Sequence, residues 1–136
     1  APAMNDLIGG HIPLMFATLP TVIPGAKGGT LRVLAVTSKQ RAASLPDAPT
    51  LDESGVKDFE ATAWFGLYMP QAKDSPVYGK LVAAIRDVLA DPAIREKFAS
   101  QGVEPGKLFG SDFARFVDTE IAKWGGVVKT ANVPQE

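Results

Sequence analysis

The chain has 136 residues, 46% of them hydrophobic, with 14 Lys plus Arg against 15 Asp plus Glu and a formal net charge of −1. That balance excludes a general electrostatic grip on nucleic acid or anionic lipid, because no excess of cations stands ready to neutralise phosphates. The absence of Cys removes disulfides, thiolate nucleophiles, Fe–S clusters and Cys-type zinc sites together. The 13 Gly and 11 Pro make up roughly 18% of the chain against a background near 12%, which points to many short elements joined by tight turns. No apolar run approaches the ~20 residues that cross a bilayer. At Ala1 there is no basic segment followed by an apolar stretch, so the chain reads as a mature protein or a fragment.

In chain order, Pro2–Leu7 predicts a short helix closed at Gly9-Gly10, where glycine permits a left-handed exit. His11–Phe16 has the length and apolarity of a buried strand, with Pro13 at its start or on an unpaired side. Thr18-Leu19-Pro20-Thr21 predicts a helix entry, with a hydroxyl cap two residues before a proline of the first turn and a stop at Gly28-Gly29. Leu31–Thr37 is apolar apart from Arg32 and predicts a strand buried on both faces of a parallel sheet. Helix, strand, helix, strand within the first 37 residues is the order of an α/β layer structure. Thr50-Leu51-Asp52-Glu53-Ser54-Gly55 predicts one helical turn with a Thr cap, a Glu three residues on and a Gly exit. Phe59–Met69 reads as an extended aromatic segment closed by Pro70.

The last 60 or so residues read as helical. Ser75-Pro76 opens a helix with Val77, Leu81, Ile85, Val88 and Leu89 on one face. Asp91-Pro92 opens a second, through Ile94 and Phe98 to Gly102. Ser111 caps a third, carrying Phe113, Phe116, Val117, Ile121, Trp124 and Val128, weakened near its end by Gly125-Gly126. About three strands are available where sheets commonly have four to six, so the helices lack a surface to cover.

Candidate chemistry is sparse. His11 lies at an element boundary, and no nucleophile or carboxylate is spaced to partner it. No HExxH-like helix proposes a zinc site. Gly25-Ala26-Lys27-Gly28-Gly29-Thr30 has its Lys before the paired glycines and leads into a strand, which fits a helix exit and not a phosphate loop. Asp52/Glu53 and Asp87/Asp91 read as solvated acidic pairs. Two features remain. At Phe16-Ala17-Thr18-Leu19-Pro20-Thr21 a strand end meets a helix start, the place where α/β sheets bind ligands and where free amides favour an anion. The second is Thr62-Ala63-Trp64-Phe65-Gly66-Leu67-Tyr68, which either lines a pocket or packs helices on a sheet; Phe65 and Leu67 are expected in the core.

Three stretches resemble the periplasmic solute-binding proteins of tripartite tricarboxylate transporters, the Bug receptor family. They are Pro2–Phe16, Gly29–Thr50 with its Arg41 and Leu45-Pro46-Asp47-Ala48-Pro49-Thr50, and Trp64-Phe65-Gly66-Leu67-Tyr68-Met69-Pro70 followed by Leu89-Ala90-Asp91-Pro92 and Gly102-Val103-Glu104-Pro105. The match is colinear over essentially the whole chain.

The resemblance implies an α/β, periplasmic-binding-protein-like (type II) clamshell, here only its C-terminal half. Residues 1–44 would end the second lobe, 45–58 form a crossing segment, and 59–136 return to the first lobe with its C-terminal helices. It also implies a non-enzymatic, periplasmic receptor that needs no cofactor or metal. Its partners would be a small di- or tricarboxylate or related acid, the membrane transporter subunits, and the N-terminal half of the same receptor. The ligand-binding residues expected on this reading are Ala17, Thr18 and Thr21 with nearby amides, and Trp64 and Phe65 as cleft wall. The family often carries Asp or Asn just after the strand that ends here in Phe16, where this sequence has Ala17-Thr18. A reading from a different class is an autonomous structural or interaction module, in one version a swapped dimer, suggested by the uncovered apolar helix faces.

Overall fold

The computed structural model describes residues 2–70 and 75–134. Among these the chain forms five helices: α1 (Pro2–Ile8), α2 (Leu19–Lys27), α3 (Pro76–Ala90), α4 (Pro92–Ser100) and α5 (Ser111–Thr130). Each of the last four starts has a local cause. Thr18 holds the extended cap geometry of α2 at φ −77°, ψ 147°, with proline in the first turn. Ser75 Oγ accepts the Val77 N–H at 3.3 Å ahead of α3, and Asp91 Oδ1 accepts the Ala93 N–H at 2.8 Å ahead of α4, satisfying amides that a helix start leaves unpaired. The sequence places Ser111 as the cap of α5, but Gly110 takes that position at φ 57°, ψ −127°, and Ser111 is the first helical residue. A left-handed φ at the junction favours glycine over serine.

Four helices end in the same way. The residue just past the cap turns left-handed, and two consecutive amides fold back onto the last turn. In α1, Gly10 (φ 74°) and His11 donate to Leu7 O and Asp6 O at 3.1 and 2.8 Å. In α2, Gly29 (φ 74°) and Thr30 donate to Ala26 O and Gly25 O at 3.3 and 3.0 Å. In α4, Gly102 (φ 70°) and Val103 donate to Ala99 O and Phe98 O at 3.0 and 2.9 Å. In α5, Asn132 (φ 51°) takes the glycine's role, and it and Val133 donate to Lys129 O and Val128 O at 3.3 and 3.2 Å.

The expected strands are where sequence and structure part. Among the described residues the β pairing is a single parallel bridge, Val36 to Thr50. It is made by Val36 N–H to Pro49 O at 2.8 Å and Leu51 N–H to Val36 O at 3.0 Å. His11–Phe16 forms no strand and leaves Phe16 75% exposed. Over Leu31–Ala35 the exposure alternates residue by residue, with Arg32 and Leu34 exposed and Leu31, Val33 and Ala35 half-buried. That period of two belongs to an extended chain covered on one face, so the segment is not buried on both faces as its apolarity suggests. A strand's amides need a neighbouring strand, and among the described residues only Val36 of this segment has one.

Contacts divide the chain into two compact units: one is Ala1–Tyr68 with Leu89–Pro105, the other Met69–Val88 with Gly106–Glu136. The buried residues Ile23, Val36, Ala48 and Thr50 all lie in the first. Burying a side chain such as Ile23 contributes about 2 kcal/mol. In the second unit, Arg86 stacks over the Phe109 ring at 4.2 Å and the Phe113 and Phe116 rings lie 6.3 Å apart. The face of α3 that is half-buried carries Tyr78, Val82, Ile85 and Leu89, whereas Val77, Leu81 and Val88 of the expected face are exposed. On α5, Phe113, Phe116, Val117 and Val128 are half-buried as expected, but Ile121 and Trp124 are exposed.

Candidate functional site

The entry to α2 gathers Ala17, Thr18 and Thr21, all exposed. Thr21 folds back on the cap residue: its Oγ1 donates to Thr18 O at 2.7 Å and its N–H donates to the same carbonyl at 3.0 Å. Pro20 contributes no amide. The Thr18 side chain makes no capping bond, and among the described residues the Leu19 N–H is likewise without a hydrogen-bond acceptor. A hydroxyl and an amide donor therefore stand open beside each other at the positive end of a helix, an arrangement suited to an anion. The structure assigns the two threonines different duties, since Thr21 spends its proton within the turn and Thr18 does not.

Trp64 and Phe65 belong to a separate segment of the same unit, which is tied to the rest by Ala61 N–H to Thr37 O at 3.0 Å. Trp64 is 37% exposed and Phe65 94%. The expectation of a core position for Phe65 and Leu67 is corrected: Leu67 is 77% exposed, because no sheet lies under this segment among the described residues. A shallow concavity of about 360 Å³ lies at the other end of α2, between Lys27, Leu31 and the Ser44–Ala48 turn. None of the five expected site residues lines it.

Two features escaped the sequence. Arg41 Nε donates to Glu53 Oε2 at 2.9 Å, and the same oxygen accepts the Thr50 N–H at 2.8 Å. The Thr50–Glu53 spacing signals the capping turn, but nothing local points to Arg41. Both effects hold the Glu53 carboxyl below the usual carboxylate range, the Thr50 amide first and the guanidinium second. Asp52 is lowered too, chiefly by the Asp58 N–H at 2.8 Å and then by Lys57. The second missed feature is Gly102, whose turn lies against Leu19, Ile23 and Ser44; the sequence marks it only as a helix stop. Among the described residues no three His, Asp or Glu gather as metal ligands.

Residues 1–133 match the family model described as tripartite tricarboxylate transporter family receptor. Protein BugT of Bordetella pertussis is 34% identical over 128 residues, covering 94% of this chain and 39% of its own length. A UPF0065 protein of Agrobacterium vitis, from the TAR-I ttuE-ttuC' intergenic region, is 43% identical over 104 residues, covering 76% of this chain and 30% of its own. Among solved structures, the periplasmic binding protein BugD superposes with a TM-score of 0.86 at 34% identity, over 99% of this chain and 46% of its own. R. palustris Rpa4515 with adipate gives 0.86 at 33% identity, over 96% and 44%. The chain thus spans about a third of the first curated relatives and under half of the solved chains. Its fold is part of a periplasmic-binding-protein clamshell, and these matches are to solute-binding receptors, not enzymes.

Proposed function

We propose, because this chain belongs to the tripartite tricarboxylate transporter receptor family, that it supplies one side of an interlobe cleft that captures a small carboxylate and gives it up unaltered. The observation that carries this reading is the open pair of donors at the start of α2, the Thr18 hydroxyl and the Leu19 amide. A carboxylate seated there gains two hydrogen bonds to its charge, each stronger than a neutral one, together with the favourable end of the helix dipole. The likeness to Rpa4515, which is described with adipate, supports a dicarboxylate over a larger acid.

In such a receptor, residues up to Ser44 complete the second lobe, residues 45–58 cross, and the chain from 59 onward carries the return to the first lobe. The start of that return, up to Tyr68, and Leu89–Pro105 share a compact unit with α2, so the return is carried by Met69–Val88 and Gly106–Glu136. Trp64 and Phe65 serve as the aromatic wall, since an exposed ring gains most from covering a ligand's methylene groups. Closure is driven by contacts the acid makes with both lobes at once, because only a difference in affinity between open and closed states shifts their populations. The closed form is what membrane transporter subunits would recognise in the periplasm.

The test is a competition series on a receptor carrying this chain, with acetate, succinate, adipate and citrate. Saturable binding of a dicarboxylate, weakened about tenfold by Thr18→Val, is expected for loss of one charge-assisted hydrogen bond. Failure of all four acids to bind a folded receptor would overturn the reading.

A further inference from the structure

We infer that Gly102, remote in sequence from the α2 entry, is a positioning residue for the carboxylate site: the turn that ends α4 is wedged against the first two turns of α2 and holds the Thr18–Leu19 donors in place. The role rests on the function proposed above. Gly102 has a φ of +70°, a conformation that side chains rarely adopt. A Cβ there would lie 2.7 Å from Ile23 Cδ1, 3.0 Å from Leu19 Cβ and 3.0 Å from Ser44 Oγ. Leu19 is the first residue of α2, adjacent to Thr18, and Ile23 is the buried residue of that helix. The contact therefore falls on the turn that carries the donors.

The wedge is stiff. Its two closing hydrogen bonds, Gly102 N–H to Ala99 O and Val103 N–H to Phe98 O, fix the turn at 3.0 and 2.9 Å. The far end of α4 is held by the Asp91 cap and by Arg95 Nε to Leu89 O at 3.0 Å. Ser44 Oγ is buried with no hydrogen-bond partner among the described residues, so the contact is made by shape and leaves no polar slack to absorb a larger side chain. Binding groups must be held within about 0.5 Å of their productive places. A methyl at Gly102 must displace the Cδ1 end of Ile23 and press Leu19 Cβ back by a few tenths of an ångström.

The test compares Gly102→Ala with the pair Gly102→Ala plus Ile23→Val, which removes the methyl met at 2.7 Å. Amide hydrogen exchange on this chain is read at the α2 amides of Thr21, bonded to Thr18 O, and Ile23, with the α5 amides as control. Adipate affinity is read on a receptor carrying the chain. Gly102→Ala is expected to speed exchange at the α2 entry about tenfold, leave α5 unchanged and weaken adipate about tenfold; the added Ile23→Val returns affinity to within about threefold. If Gly102→Ala does not fold, Ser44→Thr, which adds a methyl on the opposite side of the same contact, carries the same readouts. A wild-type receptor that binds no acid overturns the functional reading and this role with it. Normal wild-type binding, with affinity and α2 exchange untouched by the variant, overturns this role alone.

Discussion

The Arg41 guanidinium grips the Glu53 carboxylate, with Nε 2.9 Å from Oε2 and 3.2 Å from Oε1. Arg41 also donates to Pro46 O at 3.2 Å, while Glu53 and Thr50 cap one another reciprocally at 2.8 and 3.0 Å. One arginine thus fastens the Pro46 turn to the capped turn beside it, around Thr50, which is only 2% exposed. Both interactions favour the ionised carboxylate and lower its folded pKa from the ordinary 4.5. Their stabilisation is complete above the unfolded value and is lost as pH falls through the folded one. The unfolding midpoint of Glu53→Gln should therefore lie below that of the wild type at neutral pH, with the gap closing as pH falls below 4.5 and through the lower folded value. The pair is half exposed, so the gap is small; thermal melts from pH 3 to pH 7 measure it.

Ser44 offers a second prediction. Its hydroxyl is buried without a partner, and leaving such a group unpaired costs about 1–3 kcal/mol. Ser44→Ala removes the hydroxyl without enlarging the side chain, and should leave stability unchanged or raise it by about 1 kcal/mol in urea unfolding.

In α5, Gly125 and Gly126 lie within a continuous helix, and a Cβ at either would meet open space. Neither carries a positive φ. Gly125→Ala and Gly126→Ala should each stabilise the helix by up to about 1 kcal/mol, seen as higher helicity and a raised melting midpoint.

Phe65 separates binding from folding. At 94% exposed it contributes little to the fold of this chain, so Phe65→Ala should change stability by no more than about 0.5 kcal/mol. In a receptor carrying the chain, the same substitution should weaken adipate binding. A variant that lost stability but kept affinity would return Phe65 to a structural role.

What the sequence made legible was local chemistry. Gly10, Gly29 and Gly102 mark helix exits because a left-handed residue is needed within one turn of the last helical carbonyl, and Asp91 and Ser75 mark entries for the matching reason. The Thr50–Glu53 box and the Thr18 entry fall in the same class. What was not legible depends on partners distant in the chain. Leu31–Thr37 has the composition of a doubly buried strand, yet its ladder requires neighbours that the described residues supply only at Val36. The half-buried face of α3 shares only Ile85 and Leu89 with the expected one, because apolar residues occur on two sides of that helix and only its surroundings select Tyr78 and Val82 over Val77 and Leu81. The Gly102 wedge joins α2 to α4, and no spacing rule reaches across that interval.

The central claim is tested most directly by isothermal titration of adipate into a receptor carrying this chain, followed by recovery of the acid. The account predicts a saturable single-site heat, lost or weakened in Thr18→Val, with every molecule of adipate returned intact. A folded receptor that gives no heat with adipate, or that returns it chemically changed, would contradict it.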